Sequence, residues 1–219
     1  VYNILNSRLP SNYINTISPD KDGNTWIGTL NGLVKIAADA SWTVFLTTNS
    51  GLPSNNINSI VHDAAGTVWI GTKKGLAKYA GSVWKAYHSS SANFPKGFAF
   101  PNDTVNYVTL DSSQNLWLAT NHGLVKYNRA NSWTLYNTEN SGLIDNYINT
   151  VGIDKSGNIL LGTKDKGLAK FDGISKWDYY NSYNTLLPGN DIQAIAVDSA
   201  GIKWLCSVKG LVFFKDTAY

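Results

Sequence analysis

Side-chain amides recur in this sequence at Asn15, Asn58, Asn106, Asn149 and Gln193, each one residue into a short apolar run. An amide carries both donors and an acceptor, which suits sugar hydroxyls or ordered water. The competing use is structural, each amide tying its own run to the next. A second set is basic: Lys73, Lys74, Lys164, Lys166 and Lys209, joined by His122, all lie just before a recurring glycine. There they would rim a site for an anionic ligand or an acidic partner surface, or else only solubilise the turns. Tyr13, Asn56, Thr104, Tyr147 and Asp191 stand two residues before the amides and differ in type, so specificity is expected from them. Phe94, Phe98 and Phe100, interleaved with Pro and Gly, and Tyr147 and Tyr183 add rings for stacking. The phenylalanines could equally pack down and seal a gap.

Chemistry of other kinds has little to stand on. Glycoside hydrolysis needs two carboxyl groups brought together, whereas Asp103, Asp145, Asp165 and Asp191 occupy unlike positions. His62, His88 and His122 lack metal-ligand spacing; His122 alone is placed to act as an acid in a lyase-like reaction. Cys206 is the sole cysteine, which excludes an intrachain disulfide and a cysteine-based metal site. No phosphate-binding glycine loop or nucleophile elbow occurs. Catalytic residues, metal ligands and cofactors are therefore all expected to be none. A net charge of +3 without Lys or Arg runs argues against nucleic acid as a partner. No stretch approaches the roughly twenty apolar residues of a membrane span. The sequence opens at Val1 with neither an initiator Met nor a leader, as expected of a processed or excised soluble domain.

These residues belong to a repeat. DKDGNTWIGTLNGLVKI from Asp20 returns as DAAGTVWIGTKKGLAKY from Asp63, DSSQNLWLATNHGLVKY from Asp111, DKSGNILLGTKDKGLAKF from Asp154 and DSAGIKWLCSVKGLVFF from Asp198. The leading aspartates are 43, 48, 43 and 44 residues apart, a propeller-blade period. Each repeat resolves into four strands, A to D, at 57–62, 67–72, 75–79 and 83–87 in the second. An Asp-led A–B turn and a Gly-bearing B–C turn separate them. Adjacent Trp69 and Ile70 point to opposite faces, so both faces of the sheet need cover, as in radially stacked blades. The small residue two after the Trp position (Gly28, Gly71, Ala119, Gly162, Cys206) would admit a large side chain from the next blade.

The expected fold is all-β: a five-bladed β-propeller of four-stranded antiparallel blades, one domain over 1–219. Blades fall at 14–47, 57–87, 105–136, 148–180 and 192–214 plus 1–4. The fifth repeat lacks strand D, and RLPSN near Arg8 matches GLPSN at an offset of 43. Residues 1–4 are thus expected to complete the last blade and close the ring, removing two open edges. The competing arrangement, part of a seven-bladed ring, would leave both ends unpaired.

The phrase D-x-x-G-x-x-W-I-G-T-x-x-G-L-x-x-Y, fullest at residues 63–79, resembles the two-component regulator propeller repeat. That resemblance implies a sensor-type propeller located in the periplasm or outside the cell, of the kind that often detects oligosaccharides. Such sensors usually carry more repeats in larger rings, then an immunoglobulin-like domain, a membrane span and a kinase, which this sequence does not show.

The function expected is noncatalytic recognition of a carbohydrate or small polar or anionic ligand. The ligand would lie on the face where D–A and B–C connections gather, held by Tyr13, Asn15, Asn58, Lys73, Lys74, Phe98, Asn106, His122, Tyr147, Asn149, Lys164, Asp191, Gln193 and Lys209. A scaffold gripping a protein with the same face is the alternative, and a lyase or glycoside hydrolase a more distant one. The 88–103 connection is longer than its counterparts and is expected to fold over that face.

Overall fold

Short β-branched and aromatic runs broken by Asp- and Gly-bearing turns fold locally, as antiparallel meanders. The computed structural model describes residues 1–91, 94, 98–101, 103–128 and 130–214, and among them there is no helix. The first sheet is β1 (Ile14–Pro19), β2 (Thr25–Thr29), β3 (Gly32–Ile36) and β4 (Trp42–Phe45), in that spatial order. The second is β5 (Ile57–His62), β6 (Val68–Thr72), β7 (Gly75–Ala80) and β8 (Val83–Tyr87). The third holds β9 (Val105–Leu110), β10 (Leu116–Thr120), β11 (Gly123–Tyr127) and β12 (Trp133–Tyr136). The fourth holds β13 (Ile148–Ile153), β14 (Ile159–Thr163), β15 (Leu168–Phe171) and β16 (Trp177–Tyr180). The fifth has three strands, β17 (Ile192–Val197), β18 (Lys203–Ser207) and β19 (Gly210–Phe214). The chain is thus all-β, with five antiparallel sheets of four, four, four, four and three strands. The chain divides into two compact units, Val1–Val108 and Thr109–Tyr219.

The repeated aspartate builds the A–B turn. Asp20 Oδ1 accepts from the Asp22 and Asn24 amides, and Oδ2 accepts from the Trp26 indole at 2.9 Å. Asp63, Asp111 and Asp198 bond Trp69, Trp117 and Trp204 in the same way. Burial raises the Asp20 pKa, but the bonds from Trp26 and Asn24 outweigh it and hold the carboxyl at about 2. Gly66, φ +82°, supplies the turn's left-handed residue, and in the third sheet Gln114 adopts it instead at φ 63°.

Close packing between successive sheets follows from the small residue of strand B. A Cβ on Gly28 would lie 2.6 Å from Ile57 Cγ2, one on Gly71 2.9 Å from Val105 Cγ1, and one on Gly162 2.8 Å from Ile192 Cγ2. In the first unit Trp26 and Leu33 pack with Ile57, Ile60, Val68 and Ile70. In the second, Leu160 and Leu168 pack with Ile192 and Leu205. Burying one such Ile or Leu stabilises by about 1.5–3 kcal/mol.

Closure by residues 1–4 is not found: the fifth sheet stops at three strands, and among the described residues 1–4 carry no strand. The offset of 43 nevertheless holds in the turn that follows. Asn3 N donates to Asn6 Oδ1 and Ile4 N to Asn12 Oδ1, as Leu46 N does to Asn49 and Thr47 N to Asn55. The same pair of bonds recurs at 137–146 and 181–190. Asn3 and Ile4 are held in that turn, and Val1 and Tyr2 correspond by the same offset to the ladder residues Val44 and Phe45. In the fifth sheet Leu211 is 65% exposed where Leu33, Leu76, Leu124 and Leu168 are fully buried in theirs, and in the first sheet Ile17 is 63% exposed where Ile60 is buried in the second.

Candidate functional site

A shared hydroxyl shapes each B–C turn. Thr29, Thr72, Thr120 and Thr163 each donate to the carbonyl of the following Gly (Gly32, Gly75, Gly123, Gly167) at 2.7–2.9 Å and accept an amide from within the turn; Ser207 does so in the fifth sheet. These hydroxyls are buried, and they present Lys73, Lys74, His122, Lys164 and Lys209 outward. The threonine closing W-I-G-T was a legible signal for this pin, missed in reading the motif for its glycine alone.

The turn is also tied to the connection leading into strand A. Leu30 N donates to Tyr13 O, Lys73 N to Asn56 O, and Lys164 N to Tyr147 O, at 3.0–3.2 Å. In the first unit Thr104 Oγ1 adds a bond to Lys73 O. B–C turns and D–A connections therefore meet at one edge of the first, second and fourth sheets, as their order predicts.

The amides sit where strand A is irregular. Pairing of β1 with β2 shifts between Ile14 and Thr16, and the same shift brackets Asn58, Asn149 and Gln193. A bulged residue leaves the ladder and its side chain is re-aimed. Asn15 Nδ2 donates to Ile57 O at 2.8 Å, Asn58 Nδ2 to Val105 O at 2.9 Å, and Asn149 Nδ2 to Ile192 O at 3.1 Å. Each of these amides thus staples its strand to the next sheet's strand A. Asp191 Oδ1 accepts from both Asn149 and Gln193, which joins three of the expected site residues in the second unit.

Aromatic groups divide. Tyr13 and Tyr183 are exposed, whereas the Lys164 ammonium lies 4.7 Å from the Tyr147 ring centroid. In the 88–103 connection Phe94 packs on Phe98, Phe100 and Tyr87, so Phe98 belongs to a cluster of the loop's own rings. Ala92, Asn93, Pro95, Lys96, Gly97 and Asn102 lie outside the described residues. Two loop carboxylates are engaged locally: Asp103 by the Ser89 amide and hydroxyl, Asp145 by the Tyr147 and Asp165 amides. Burial pushes the His62 imidazole below its ordinary pKa, and His122 is exposed. Among the described residues no three His, Cys, Asp or Glu side chains group as metal ligands.

Sequence reasoning had no candidate near Arg8. In the first unit a groove of about 430 Å³ is lined by Tyr2, Asn6, Ser7, Arg8, Ser41 and Trp42. Its signal was the single departure of RLPSN from GLPSN, an Arg in place of Gly51.

Comparison with known proteins agrees with the fold. A two component regulator propeller family model matches residues 8–31 and 51–74. No curated protein matches the chain in sequence. The extracellular domain of the hybrid two component system BT3049 from B. thetaiotaomicron is similar at 26% identity and a TM-score of 0.80, over 93% of this chain and 28% of that one. The corresponding domain of BT4673 from the same organism gives 24% identity and a TM-score of 0.80, over 97% and 28%. The chain thus spans about 28% of the length of these structures. A virginiamycin B lyase from Staphylococcus aureus shares the fold alone, at 11% identity and a TM-score of 0.67, over 95% of this chain and 71% of that one. The two W-I-G-T phrases within residues 8–31 and 51–74 thus match the two component regulator propeller model, and the five all-β sheets are similar in fold to the extracellular domains of those two component systems.

Proposed function

We propose that this chain is a noncatalytic recognition domain of a periplasmic or extracellular sensor, binding a carbohydrate or other small polar or anionic ligand where its B–C turns and D–A connections meet. The observation that carries this reading is the hydrogen-bonded union of those two loop sets, which puts Tyr13 beside Leu30, Asn56 beside Lys73, and Tyr147 beside Lys164. Residues that differ from repeat to repeat are thereby held on a framework that does not, the arrangement recognition sites use. Lys73, Lys74, Lys164 and Lys209 supply a basic rim, and Asn149, Asp191 and Gln193 a polar floor, in their respective units. The Asp103 and Asp145 carboxylates accept backbone amides and Asp191 accepts the Asn149 and Gln193 amides, which weighs against acid–base catalysis by these three.

A screen by thermal shift against glycans and small anions tests this. A ligand at 100 times its Kd raises stability by roughly 2.7 kcal/mol, and Tyr147→Ala, His122→Ala or Lys74→Ala should weaken its binding. Unchanged affinity in all three variants refutes the placement. The exposed Tyr13, Leu30, Tyr183, Leu186 and Val208 on the same loop sets favour a second reading, in which a protein partner covers that edge. Capture of a protein with no small-molecule shift would select it.

A further inference from the structure

We infer that the groove over strand β4 is a binding site for a small aromatic carboxylate, with Arg8 as its anion anchor. The repeats show what this place is ordinarily for. A Cβ on Gly51 would lie 2.3 Å from Trp84 Cβ, and one on Gly142 2.6 Å from Trp177 Cδ1, so the connection lies flat on the first Trp of strand D. In the first sheet that Trp is Trp42, and Arg8 stands where Gly51 and Gly142 stand. A side chain cannot fit the glycine geometry, so Arg8 holds the connection off Trp42 and the groove of about 430 Å³ opens between them.

What lines the groove selects the ligand. Asn6 and Ser7 are occupied: Asn6 Nδ2 donates to Val1 O and its Oδ1 accepts from Asn3 N, and Ser7 Oγ donates to Asn3 O. Arg8 donates one bond, Nη1 to Trp42 O at 3.3 Å, and no described carboxylate pairs with it. A guanidinium has five N–H donors in a planar fork that matches a carboxylate. The Tyr2 hydroxyl lines the same groove and makes no hydrogen bond to a described residue, whereas the Ser41 hydroxyl there is engaged by the Asp39 carboxylate. Tyr2 and Trp42 meet edge to face, centroids 5.2 Å apart at 66°, and have no other ring partner, so ring surface remains for a third aromatic group. A cation, one unpaired hydroxyl and the exposed ring surface of Tyr2 and Trp42 together describe a flat ring bearing a carboxylate. The site is at the outer edge of the first sheet and is independent of the B–C and D–A reading.

Calorimetric titration of the whole chain with 4-hydroxybenzoate, cyclohexanecarboxylate and phenol tests it. The expected result is saturable binding of 4-hydroxybenzoate, at least about tenfold tighter than either other compound, since a charge-assisted bond is worth more than a factor of ten. Arg8→Gly restores the residue that the other repeats use and should fold with an unchanged Tm while losing at least about tenfold in affinity. Tyr147→Ala should leave this binding untouched. Absence of saturable 4-hydroxybenzoate binding overturns the inference, as does equal affinity in Arg8→Gly. Equally tight cyclohexanecarboxylate overturns the aromatic assignment.

Discussion

Lys203→Met should destabilise the second unit by about 3 kcal/mol, because it strips the partner from a buried carboxylate. In four sheets the A–B turn aspartate receives an indole N–H from the residue six places on, at 2.9–3.2 Å. The fourth repeat has Leu160 at that place, so Asp154 lacks this donor. The fifth sheet supplies Lys203, whose Nζ lies 3.9 Å from Asp154 Oδ2, with both side chains 2% exposed. At an effective dielectric constant of about 20, that separation corresponds to about 4 kcal/mol of attraction. Methionine gives up the ammonium placed 5.5 Å from the Phe214 ring centroid but keeps an apolar chain of similar length and relieves the lysine's own desolvation, which offsets part of the loss. The remaining bonds to Asp154, from the Ser156 and Asn158 amides and Asn158 Nδ2, keep the cost at the lower end of the range for broken buried pairs. Urea unfolding should show a midpoint about 1 M lower at unchanged slope. A cycle with Asp154→Asn should return a coupling of about 2–3 kcal/mol, insensitive to salt. Coupling below about 0.5 kcal/mol would refute the assignment of Lys203 as the replacement for the missing indole.

Two further outcomes follow from the turns and the packing. Gly28→Ala, which would put a methyl 2.6 Å from both Ile57 Cγ2 and Thr16 Cγ2, should cost about 1–3 kcal/mol in the same unfolding assay; a cost near zero would mean the first two sheets separate freely. Asp20, held at about 2 against an ordinary 3.8, contributes stability that is present above 3.8 and disappears as pH falls through 2. Asp20→Asn should therefore flatten the acid branch of the stability profile between those values, and an Asp20 pKa at or above 3.8 by NMR titration would contradict the turn described here.

Local chemistry was legible because it is written in residues close along the chain. The recurring Asp of the A–B turn and Gly of the B–C turn announced the sheets and their order, whereas the Asp–Trp bond and the Thr–Gly pin that complete those turns became visible only in the folded chain. Cover for both sheet faces was legible too, since Gly28 and Gly162 have a use only if an Ile approaches. The amides at Asn15, Asn58 and Asn149 were found by position, and their use as staples was among the readings weighed. Which reading applied depended on a bulge, a property of pairing between strands. Phe98 was found by its ring and its interleaving with Pro and Gly, but its neighbours are the loop's own rings.

The sequence by itself determined the strands, their meander order and the likeness of the repeat to the two component regulator propeller model, because each depends on a few residues within one 43-residue period. Only the tertiary structure decided what residues 1–4 do, where Lys203 goes and that Arg8 opens a groove. Those outcomes turn on which groups from distant repeats compete for the same donors, acceptors and space, and that competition has no period to read.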